Sequence, residues 1–325
     1  MRVLLVRDFT DTSFGRQAKL LERGLKELGH EVTPMEKSST KREDIPPGYD
    51  WYIYYTIYGT HLFWKGIPDY NRNIVFEVAD TDAVSHMVSW FFKTQPVDTI
   101  VVPSKFSRDA FFTLNNPPPQ PIRIIPHALN PVMFEVKPAN FPHPCVLALL
   151  PHSWERKGGD VVLDVFEKLK REGTRFFSLI LTAREIRGFN RVPTPLPDPE
   201  YYSIFAGCDI LFYPVRGGAF EIPVIEALAL GLDVVVTGQG AWMEWVLSPD
   251  DVYPIRVRGK VRLWYSNPFH VGFFFDPDPV NALVKLKEAL TNWYPEKKKE
   301  NLEVRALKYR ERYHYLEVAK EWESL

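Results

Sequence analysis

The stretch from residue 209 to residue 246 decides the fold and reads DILFYPVRGGAFEIPVIEALALGLDVVVTGQGAWMEWV. Residues 210–215 form an unbroken β-branched and aromatic run, which is typical of a strand buried on both faces. Residues 216–219 follow as a turn of one Arg, two Gly and one Ala, whose small side chains let the backbone approach another group closely. The stretch therefore predicts a buried strand with a glycine turn at its carboxyl end.

A helix is predicted directly after this turn. Pro223 suits its first position, residues 224–230 form its body, and Gly231 suits a left-handed end. A second buried strand is predicted at residues 234–236. Strand, turn, helix and strand make a βαβ unit, so the sheet is predicted to be parallel and to bind its ligands at the carboxyl edge of its strands.

Glu226 is the one charged residue in this otherwise apolar helix, which the all-round apolar pattern predicts to be buried. A buried carboxylate needs partners, because an unpaired buried charge is costly. In one interpretation Glu226 faces a cleft and accepts hydrogen bonds from a ligand diol such as a ribose. In the other it forms a structural ion pair with a core Arg or Lys. The adjacent glycine turn favours the ligand interpretation, since backbone N–H groups at a helix start attract anions.

The same residues resemble the donor-binding motif of the retaining glycosyltransferases of family four, whose fold is GT-B. That motif runs roughly E-G-F-G-x-P-x-x-E-A, and its matching positions here are Phe220, Pro223, Glu226 and Ala227. The resemblance implies an α/β protein with two Rossmann-like domains, whose parallel sheets face each other across a cleft. It also implies that Glu226 holds the nucleotide ribose of the donor.

The motif is degenerate at three positions. The family's first Glu falls on Gly218, its next Gly on Ala219 and its second Gly on Glu221. In the family the first Glu helps to bind the transferred sugar, which Gly218 cannot do with a side chain. Either Glu221 compensates from a shifted position, or sugar recognition differs, or activity is weak. The backbone N–H groups of Gly217, Gly218, Ala219 and Phe220 are expected to meet the donor diphosphate.

A second motif follows a predicted strand at residues 146–150. The family has G-R-x-x-x-x-K-G there, and its Arg and Lys bind the donor pyrophosphate; Lys157 and Gly158 match, while His152 stands at the Arg position. Arg156 is an additional cation beside the lysine. Two cations and a glycine at a helix start suit a diphosphate, because they neutralise the charge that grows on a leaving nucleotide.

The first half of the chain opens with a strand, a loop and a helix, as in the same family. Of the two glycines that the family often carries near the donor phosphates, Gly15 remains and is followed by Arg16. Arg16 is interpreted either as a contact to a phosphate or acceptor, or as a solvated arginine at a helix start. The aromatic residues around 58–64 are interpreted either as core or as a surface that stacks on a sugar or touches a lipid surface.

A later strand, predicted at residues 74–78, delivers Ala79, Asp80, Thr81 and Asp82. The family has a His at the position of Ala79 and an Asp at that of Asp80, so Asp80 is the candidate for taking the acceptor's proton. Alternatively, Asp80 and Asp82 resemble the metal-binding D-x-D of the GT-A fold, which holds Mn²⁺ or Mg²⁺ against a diphosphate. The first interpretation is favoured because the second half of the chain matches GT-B over many positions.

Composition excludes several classes of protein. A net charge of −1 argues against a nucleic-acid-binding protein. Only Cys145 and Cys208 are present, at unrelated spacings, which fits a reducing cytosol and argues against a disulfide scaffold or a thiolate zinc site. No apolar run approaches the roughly 18 residues of a membrane span, and the N-terminus reads as a strand, so a cytoplasmic location is expected.

The sequence thus predicts an N-terminal acceptor domain over residues 1–138 and a C-terminal donor domain over 139–301. A proline-rich linker lies at 137–144, and a long final helix over about 302–325 returns to the first domain. The predicted activity is sugar transfer from a nucleotide-diphosphate sugar to an unidentified glycan, lipid or protein acceptor. The resemblance implies retention of configuration without a metal or other cofactor. One alternative is a non-catalytic relative that binds nucleotide-sugars or glycans, motivated by the departures at Ala79, His152 and Gly218. The other is a metal-dependent GT-A-type transferase that uses Asp80 and Asp82.

Overall fold

The computed structural model describes residues 1–8, 12–36, 44–55, 66–114, 117–263 and 269–325. They divide into two compact units. The first comprises the described residues of Met1–Asn130, Tyr265–Gly272 and Tyr313–Leu325, and the second those of Pro131–Trp264 and Phe273–Arg312. The chain therefore passes from the first unit to the second after Asn130, before the proline-rich segment that the sequence analysis interpreted as the linker.

The first unit is built on a six-stranded sheet in which all neighbouring strands are parallel. Its strands are β1 (Arg2–Arg7), β2 (Glu31–Glu36), β3 (Trp51–Tyr55), β4 (Asn73–Phe76), β5 (Thr99–Val102) and β6 (Ile122–Ile124). They lie in the order β2-β1-β3-β4-β5-β6. Pro34 lies on the edge strand β2, where a missing N–H is tolerated.

Helices α1 (Ser13–Glu27), α2 (His86–Thr94) and α3 (Lys105–Ala110) belong to this unit. Helix α1 begins after Thr12, whose hydroxyl accepts a hydrogen bond from the Gly15 N–H at 3.0 Å. Such a cap satisfies one of the backbone donors that a helix start leaves unpaired. Residues of β1, β3, β4 and β5 form the core of the unit together with apolar residues of α2.

The second unit has its own six-stranded parallel sheet, in the order β12-β11-β10-β7-β8-β9. Its strands are β7 (Cys145–Leu150), β8 (Phe177–Thr182), β9 (Asn190–Val192), β10 (Ile210–Tyr213), β11 (Asp233–Thr237) and β12 (Val252–Ile255). Strands β13 (Val257–Val261) and β14 (Phe274–Pro277) form a separate antiparallel pair. The central strands β7, β10 and β11 are buried along their whole length, as the apolar runs within them predict.

The helices of this unit surround the sheet. They are α4 (Gly159–Arg171), α5 (Asp198–Gly207), α6 (Ile222–Ala229), α7 (Pro279–Thr291), α8 (Lys297–Asn301) and α9 (Leu307–Arg312). The predicted βαβ unit is present as β10, α6 and β11, with β10 and β11 paired in parallel. Two six-stranded parallel sheets with helices confirm the predicted α/β class.

The C-terminal region is not the single long helix that the sequence analysis predicted. A π-helical turn over Leu302–Ala306 separates α8 from α9, and a new helix, α10 (Tyr315–Glu323), begins after His314. Only the part from Tyr313 onward belongs to the first unit. There α10 packs closely on α1, since a Cβ at Gly24 would lie 2.5 Å from the Ala319 Cβ.

The apolar residues of this region do not form one buried stripe either. Tyr315, Val318 and Trp322 are buried, but Val304 and Leu307 are 70% and 54% exposed. The reason is that residues before Tyr313 attach to the second unit by polar contacts. Lys297 Nζ lies 2.6 Å from the Asp233 carboxylate, and Arg310 Nε donates to the Ala229 carbonyl at 2.9 Å. Within the described part of the chain, no helix has the length and apolar character that crossing a membrane requires.

Candidate active site

The glycine turn of the second unit joins the carboxyl end of β10 to the start of α6. Its backbone is held by an N–H of Arg216 that donates to the Arg156 carbonyl at 2.7 Å. The ring of Phe220 is buried and lies 5.6 Å from the ring of Trp245. Glu221 immediately precedes α6 and adopts a left-handed conformation with φ 61° and ψ 68°. A non-glycine residue in that region is uncommon and strained, and it persists only where the surrounding contacts hold it in place.

Gly218 and Glu221 compete for one position in space. A Cβ built at Gly218 would lie 1.8 Å from Glu221 Oε1 and 2.6 Å from its Cδ. No side chain can therefore occupy position 218 while the Glu221 carboxylate is where it is. The carboxylate of Glu221 fills the space into which a side chain at residue 218 would begin to extend.

Two cations converge on this carboxylate. Arg156 Nη1 lies 3.0 Å from Glu221 Oε1, and Lys157 Nζ lies 2.5 Å from Oε2. The hydroxyl of Tyr213, the last residue of β10, donates to Oε2 at 2.5 Å. All three charged side chains are less than 10% exposed. Burial opposes ionisation of Glu221, but Lys157 and Arg156 outweigh it, so the pKa of this carboxyl lies below its ordinary value.

The same cluster touches the glycine turn. Arg156 Nη1 donates to the Gly217 carbonyl at 2.7 Å, and Lys157 Nζ lies 5.4 Å from the centre of the Tyr213 ring. Burial, followed by the Glu221 charge, raises the pKa of Tyr213 well above its ordinary value, so Tyr213 remains a hydrogen-bond donor. The predicted cations of one motif and the predicted turn of the other thus form one site.

His152 lies at the exposed edge of this site. Its Nε2 lies 3.3 Å from Arg156 Nη2. It can accept a hydrogen bond from the guanidinium in its neutral form. The structure thus places His152 beside Arg156.

The two glycines after Lys157 allow the backbone of the loop that carries Arg156 and Lys157 to approach the end of β10. Gly158 has φ 75°, and a Cβ there would lie 2.1 Å from the Pro214 carbonyl oxygen. A Cβ at Gly159 would lie 2.3 Å from the Trp154 ring. Glycine is therefore required at both positions, because backbone and an aromatic ring occupy the space of any side chain.

Arg216 is a member of the site that sequence reasoning did not single out. Its guanidinium binds the Asp160 carboxylate through two hydrogen bonds of 2.6 and 2.7 Å and donates to the Glu155 carbonyl at 2.6 Å. Burial opposes the charged form of Arg216, but the bonds to Asp160 outweigh it and raise its pKa. This pair joins the glycine turn to the first turn of α4.

Glu226 is buried in the middle of α6, with 5% of its surface exposed. The Tyr202 hydroxyl donates to its Oε1 at 2.7 Å, and the Tyr201 hydroxyl lies 3.4 Å from Oε2. Burial and the Glu226 charge raise the pKa of Tyr202 well above its ordinary value. Two adjacent tyrosines of α5 thus orient this carboxylate, a contact that the sequence pattern around residues 201–206 did not reveal.

Asp80 lies in the first unit and is 8% exposed. Its backbone N–H donates to His270 Nδ1 at 3.3 Å, and its carboxylate Oδ2 lies 3.7 Å from the same nitrogen. His270 Nε2 lies 3.0 Å from the Val78 carbonyl, so a ring with a proton on Nε2 donates to that carbonyl while Nδ1 accepts from the Asp80 N–H. His270 is almost 200 residues from Asp80 in sequence, and no local pattern links them.

The other predicted contacts of the first unit are placed as follows. The Gly15 N–H is used in the cap of α1, and Arg16 is partly exposed on the first turn of that helix. The aromatic cluster at 58–64 lies outside the described residues. Among the residues that the structure describes, no group of three or more His, Cys, Asp or Glu side chains has the arrangement of a metal site.

The sequence of the chain has a close viral relative. A protein named "Putative glycosyltransferase 45", from Sulfolobus islandicus filamentous virus (isolate Iceland/Hveragerdi), is 66% identical over 329 residues, which cover 100% of this chain and 94% of the relative. "Uncharacterized protein 356" of Sulfolobus islandicus rod-shaped virus 1 is 25% identical over 171 residues, or 46% of this chain and 44% of that one. No family model matches the chain.

Solved structures share the fold over the whole chain at low sequence identity. A sucrose-phosphate synthase from Thermosynechococcus elongatus has a TM-score of 0.68 at 12% identity, covering 100% of this chain and 98% of the other. HepE from Anabaena, in complex with UDP and glucose, has a TM-score of 0.65 at 11% identity, with coverage of 100% and 98%. WaaG, a glycosyltransferase involved in lipopolysaccharide biosynthesis, has a TM-score of 0.60 at 14% identity, with coverage of 99% and 98%.

These likenesses establish the predicted GT-B fold, and the D-x-D interpretation, which requires a GT-A fold, is not favoured. Because its full length is 66% identical to the viral protein, the chain belongs to the glycosyltransferases.

Proposed function

We propose that this glycosyltransferase uses a nucleoside diphosphate sugar as its donor and binds that donor in the second unit. The observation that carries the proposal is the convergence of Arg156 and Lys157 on the glycine turn at the carboxyl end of β10. Anions bind where cations and a helix start meet, and ligands of parallel sheets bind at this edge. A diphosphate is the anionic group common to nucleotide-sugars.

Departure of the nucleoside diphosphate leaves negative charge on the oxygen that was bonded to the sugar. Lys157 and Arg156 stabilise that charge in the proposed site, and the fixed N–H groups of residues 217–220 add hydrogen bonds to the phosphates. Because Glu221 already holds both cations, and Arg156 also binds the Gly217 carbonyl, little reorganisation is needed when the charge develops.

Glu221 is the proposed replacement for the acid that Gly218 lacks. Its carboxylate lies where a side chain at 218 would begin, since a Cβ there would be 1.8 Å from Oε1. The left-handed conformation at Glu221 turns the side chain back toward the turn. A carboxylate in this position accepts hydrogen bonds from sugar hydroxyls while it also orients Lys157.

Glu226 is the proposed ligand of the donor ribose. A carboxylate accepts hydrogen bonds at both oxygens, and a ribose offers two neighbouring hydroxyls. Tyr201 and Tyr202 hold the carboxylate in one orientation, which reduces the entropy lost on binding.

For the first unit we propose that Asp80 accepts the proton of the acceptor hydroxyl, with His270 as a residue that positions it. His270 holds the backbone on either side of Ala79 through Val78 and Asp80. Retention of configuration without a metal is part of the same proposal. Arg16, which is partly exposed beside Gly15 on the first turn of α1, is proposed to contact the acceptor.

The neighbours suggest which donors to test first. HepE was solved with UDP and glucose and with UDP-glucose, and the pneumococcal O-GlcNAc transferase GtfA was solved with UDP and GlcNAc. UDP-sugars are therefore the first candidates, followed by GDP-, ADP- and TDP-sugars.

A thermal-shift experiment tests donor binding. A ligand that binds only the folded protein raises its midpoint, by an amount that corresponds to about 2.7 kcal/mol at a hundredfold excess over Kd. We expect one family of nucleoside diphosphates to raise the Tm, the matching monophosphate to do so far less, and Lys157→Gln to abolish the difference. Equal shifts for mono- and diphosphates would contradict the assignment of Arg156 and Lys157 to the diphosphate.

Turnover is measured separately with the donor that binds. Release of nucleoside diphosphate, with and without candidate acceptors, is expected to require Asp80 but not to depend on a chelator. Binding of a donor without any release would indicate a relative that binds the sugar nucleotide and does not transfer it.

A further inference from the structure

The two cysteines of the chain lie side by side in the second unit. Cys145 and Cys208 are 63 residues apart in sequence and both are fully buried, yet their Sγ atoms are 2.7 Å apart. In this structure both residues are free thiols, and the two sulfur atoms are in direct contact. Their unrelated spacings in the sequence were interpreted as fitting a reducing cytosol and as evidence against a disulfide scaffold, and nothing in those spacings indicates that the two side chains meet.

The topology of the sheet brings them together. Cys145 is the first residue of β7, and Cys208 lies between α5 and β10, which pairs with β7 in parallel. Asp209 fixes this junction on both sides. Its N–H donates to the Cys145 carbonyl at 2.9 Å, and its Oδ2 accepts from the Cys145 N–H at 2.7 Å. Because Ile210 pairs with Val146, Asp209 lies opposite Cys145, and Cys208 is the next residue along the chain. Neighbouring strands lie about 4.7–4.9 Å apart, and a disulfide joins residues whose Cα atoms are about 4.4–6.8 Å apart.

We propose that Cys145 and Cys208 form a disulfide bond in the folded protein. The oxidant is a small-molecule disulfide such as oxidised glutathione. One cysteine thiolate attacks it, forms a mixed disulfide and releases one reduced thiol. The second cysteine thiolate then attacks the protein sulfur of the mixed disulfide, forms the Cys145–Cys208 bond and releases the second thiol. The two cysteines lose two protons and two electrons, and the small disulfide gains both.

The bond anchors the carboxyl end of α5 to the sheet. The same end is held by Lys298, whose Nζ donates to the Cys208 carbonyl at 2.5 Å and to the Ala206 carbonyl. Helix α5 carries Tyr201 and Tyr202, which orient Glu226. The crosslink therefore fixes the helix that holds the proposed ribose ligand, although its formation does not depend on that proposed role.

Burial makes the pair slow to exchange. Burial and the neighbouring Cys145 thiol raise the pKa of the Cys208 thiol well above its ordinary value. Little thiolate is therefore present in the folded protein, and both formation and reduction of the bond require local opening.

The experiment is to refold the full chain in reduced and oxidised glutathione and then to unfold it in denaturant with iodoacetamide, which alkylates free thiols. Mass spectrometry of the intact chain then counts the adducts. We expect no adduct in this sample and two adducts when dithiothreitol precedes the alkylation. Two adducts without dithiothreitol would overturn the proposal, as would a disulfide-linked dimer on a non-reducing gel.

A stability measurement gives a second, independent readout. We expect dithiothreitol to lower the Tm of the wild-type chain and to leave the Tm of the Cys145→Ala, Cys208→Ala double variant unchanged, because only the wild-type loses a crosslink. The same Tm for the oxidised and reduced wild-type chain would contradict a bond that anchors α5.

Discussion

At the scale of single residues, Glu221 is the side chain on which the candidate site depends. It binds Arg156, Lys157 and Tyr213 at once while only 8% of the residue is exposed. We predict that Glu221→Gln lowers the free energy of unfolding by about 3–5 kcal/mol, because it leaves two buried cations without their counter-charge. Urea denaturation at pH 7 measures the loss.

Glu167→Gln is the matched control, since Glu167 lies on α4 and is exposed. Its effect is expected to stay within about 0.5 kcal/mol. The pH dependence gives a further check. The folded pKa of Glu221 lies below the ordinary value of 4.5, so its stabilisation is present above pH 4.5 and is lost as the pH falls below it. A Glu221→Gln variant as stable as Glu167→Gln would show that the cluster contributes nothing.

Variants of Asp80 and Asp82 distinguish a proton-accepting role of Asp80 from a role that the two carboxylates share. If Asp80 accepts the acceptor's proton, Asp80→Asn is predicted to lower kcat by about 10²–10⁴-fold and to leave donor affinity unchanged. Asp82→Asn is predicted to have little effect on either. Steady-state kinetics and a donor titration measure both quantities. Equal losses of kcat in the two variants would contradict a role specific to Asp80.

The sequence could predict Arg156, Lys157 and the glycine turn as parts of one candidate site, because each lies in a loop that follows a strand of a parallel sheet and precedes a helix. It could not predict how Glu221 uses its side chain. That depends on a positive φ at a non-glycine residue, which no residue pattern specifies. The contacts of Glu226 with Tyr202 and of Asp80 with His270 could not be predicted either, because the partner in each pair comes from a distant part of the sequence.

At the scale of elements, the two glycines that flank α4 make it possible to measure how much stability depends on the close approach of the loop before α4 to the end of β10. Gly158 and Gly173 flank this helix with nearly the same φ, 75° and 74°, but only Gly158 is crowded. A Cβ at Gly158 would lie 2.1 Å from the Pro214 carbonyl oxygen, whereas a Cβ at Gly173 would have no atom within 4 Å among the described residues.

We predict that Gly173→Ala costs about 1–2 kcal/mol, the strain of a left-handed non-glycine residue, and that Gly158→Ala costs at least twice as much. The difference between the variants isolates the close approach, since the backbone strain is common to both. Denaturant unfolding gives the stabilities, and donor titration is expected to show weaker binding for Gly158→Ala alone. Equal costs would mean that the contact with Pro214 relaxes freely.

Elements were predicted best where the pattern was long and uniform. The buried runs that form β7, β10 and β11 left few alternatives to a parallel sheet. The prediction of one long C-terminal helix was wrong. The apolar residues of this region fit one helical stripe, but the chain enters the first unit at Tyr313 and a new helix begins after the His314 cap. Val304 and Leu307 are consequently exposed, and Arg305 and Arg310 attach their segment to the second unit by backbone carbonyls.

At the scale of the whole molecule, the acid stability of the chain is predicted to depend on His127. This residue lies in the first unit within an aromatic group of Tyr55, Phe76 and Trp322, and the Tyr55 hydroxyl lies 3.0 Å from its Nδ1. Burial lowers the pKa of His127 from 6.5 to about 3. Burial also raises the pKa of Tyr55, so the neighbouring group stays neutral throughout the acidic range.

Above pH 6.5 both the folded and the unfolded chain hold a neutral His127, and its titration contributes nothing to the pH dependence. Below pH 6.5 the unfolded chain binds a proton that the folded chain does not bind until about pH 3. The free energy of unfolding therefore falls as the pH falls through this window, with a slope that approaches about 1.4 kcal/mol per pH unit from this residue. Between pH 6.5 and 4.5 the stabilisation by Glu221 is still complete, so the pH dependence in this range reports on His127 and not on Glu221.

We predict that His127→Gln, which keeps a neutral polar side chain, loses this part of the slope in urea titrations at pH 6.5, 5.5 and 4.5. His86→Gln, at an exposed position, is expected to retain it. Parallel pH profiles for the wild-type chain and His127→Gln would mean that His127 takes up its proton in the folded state as readily as in the unfolded chain.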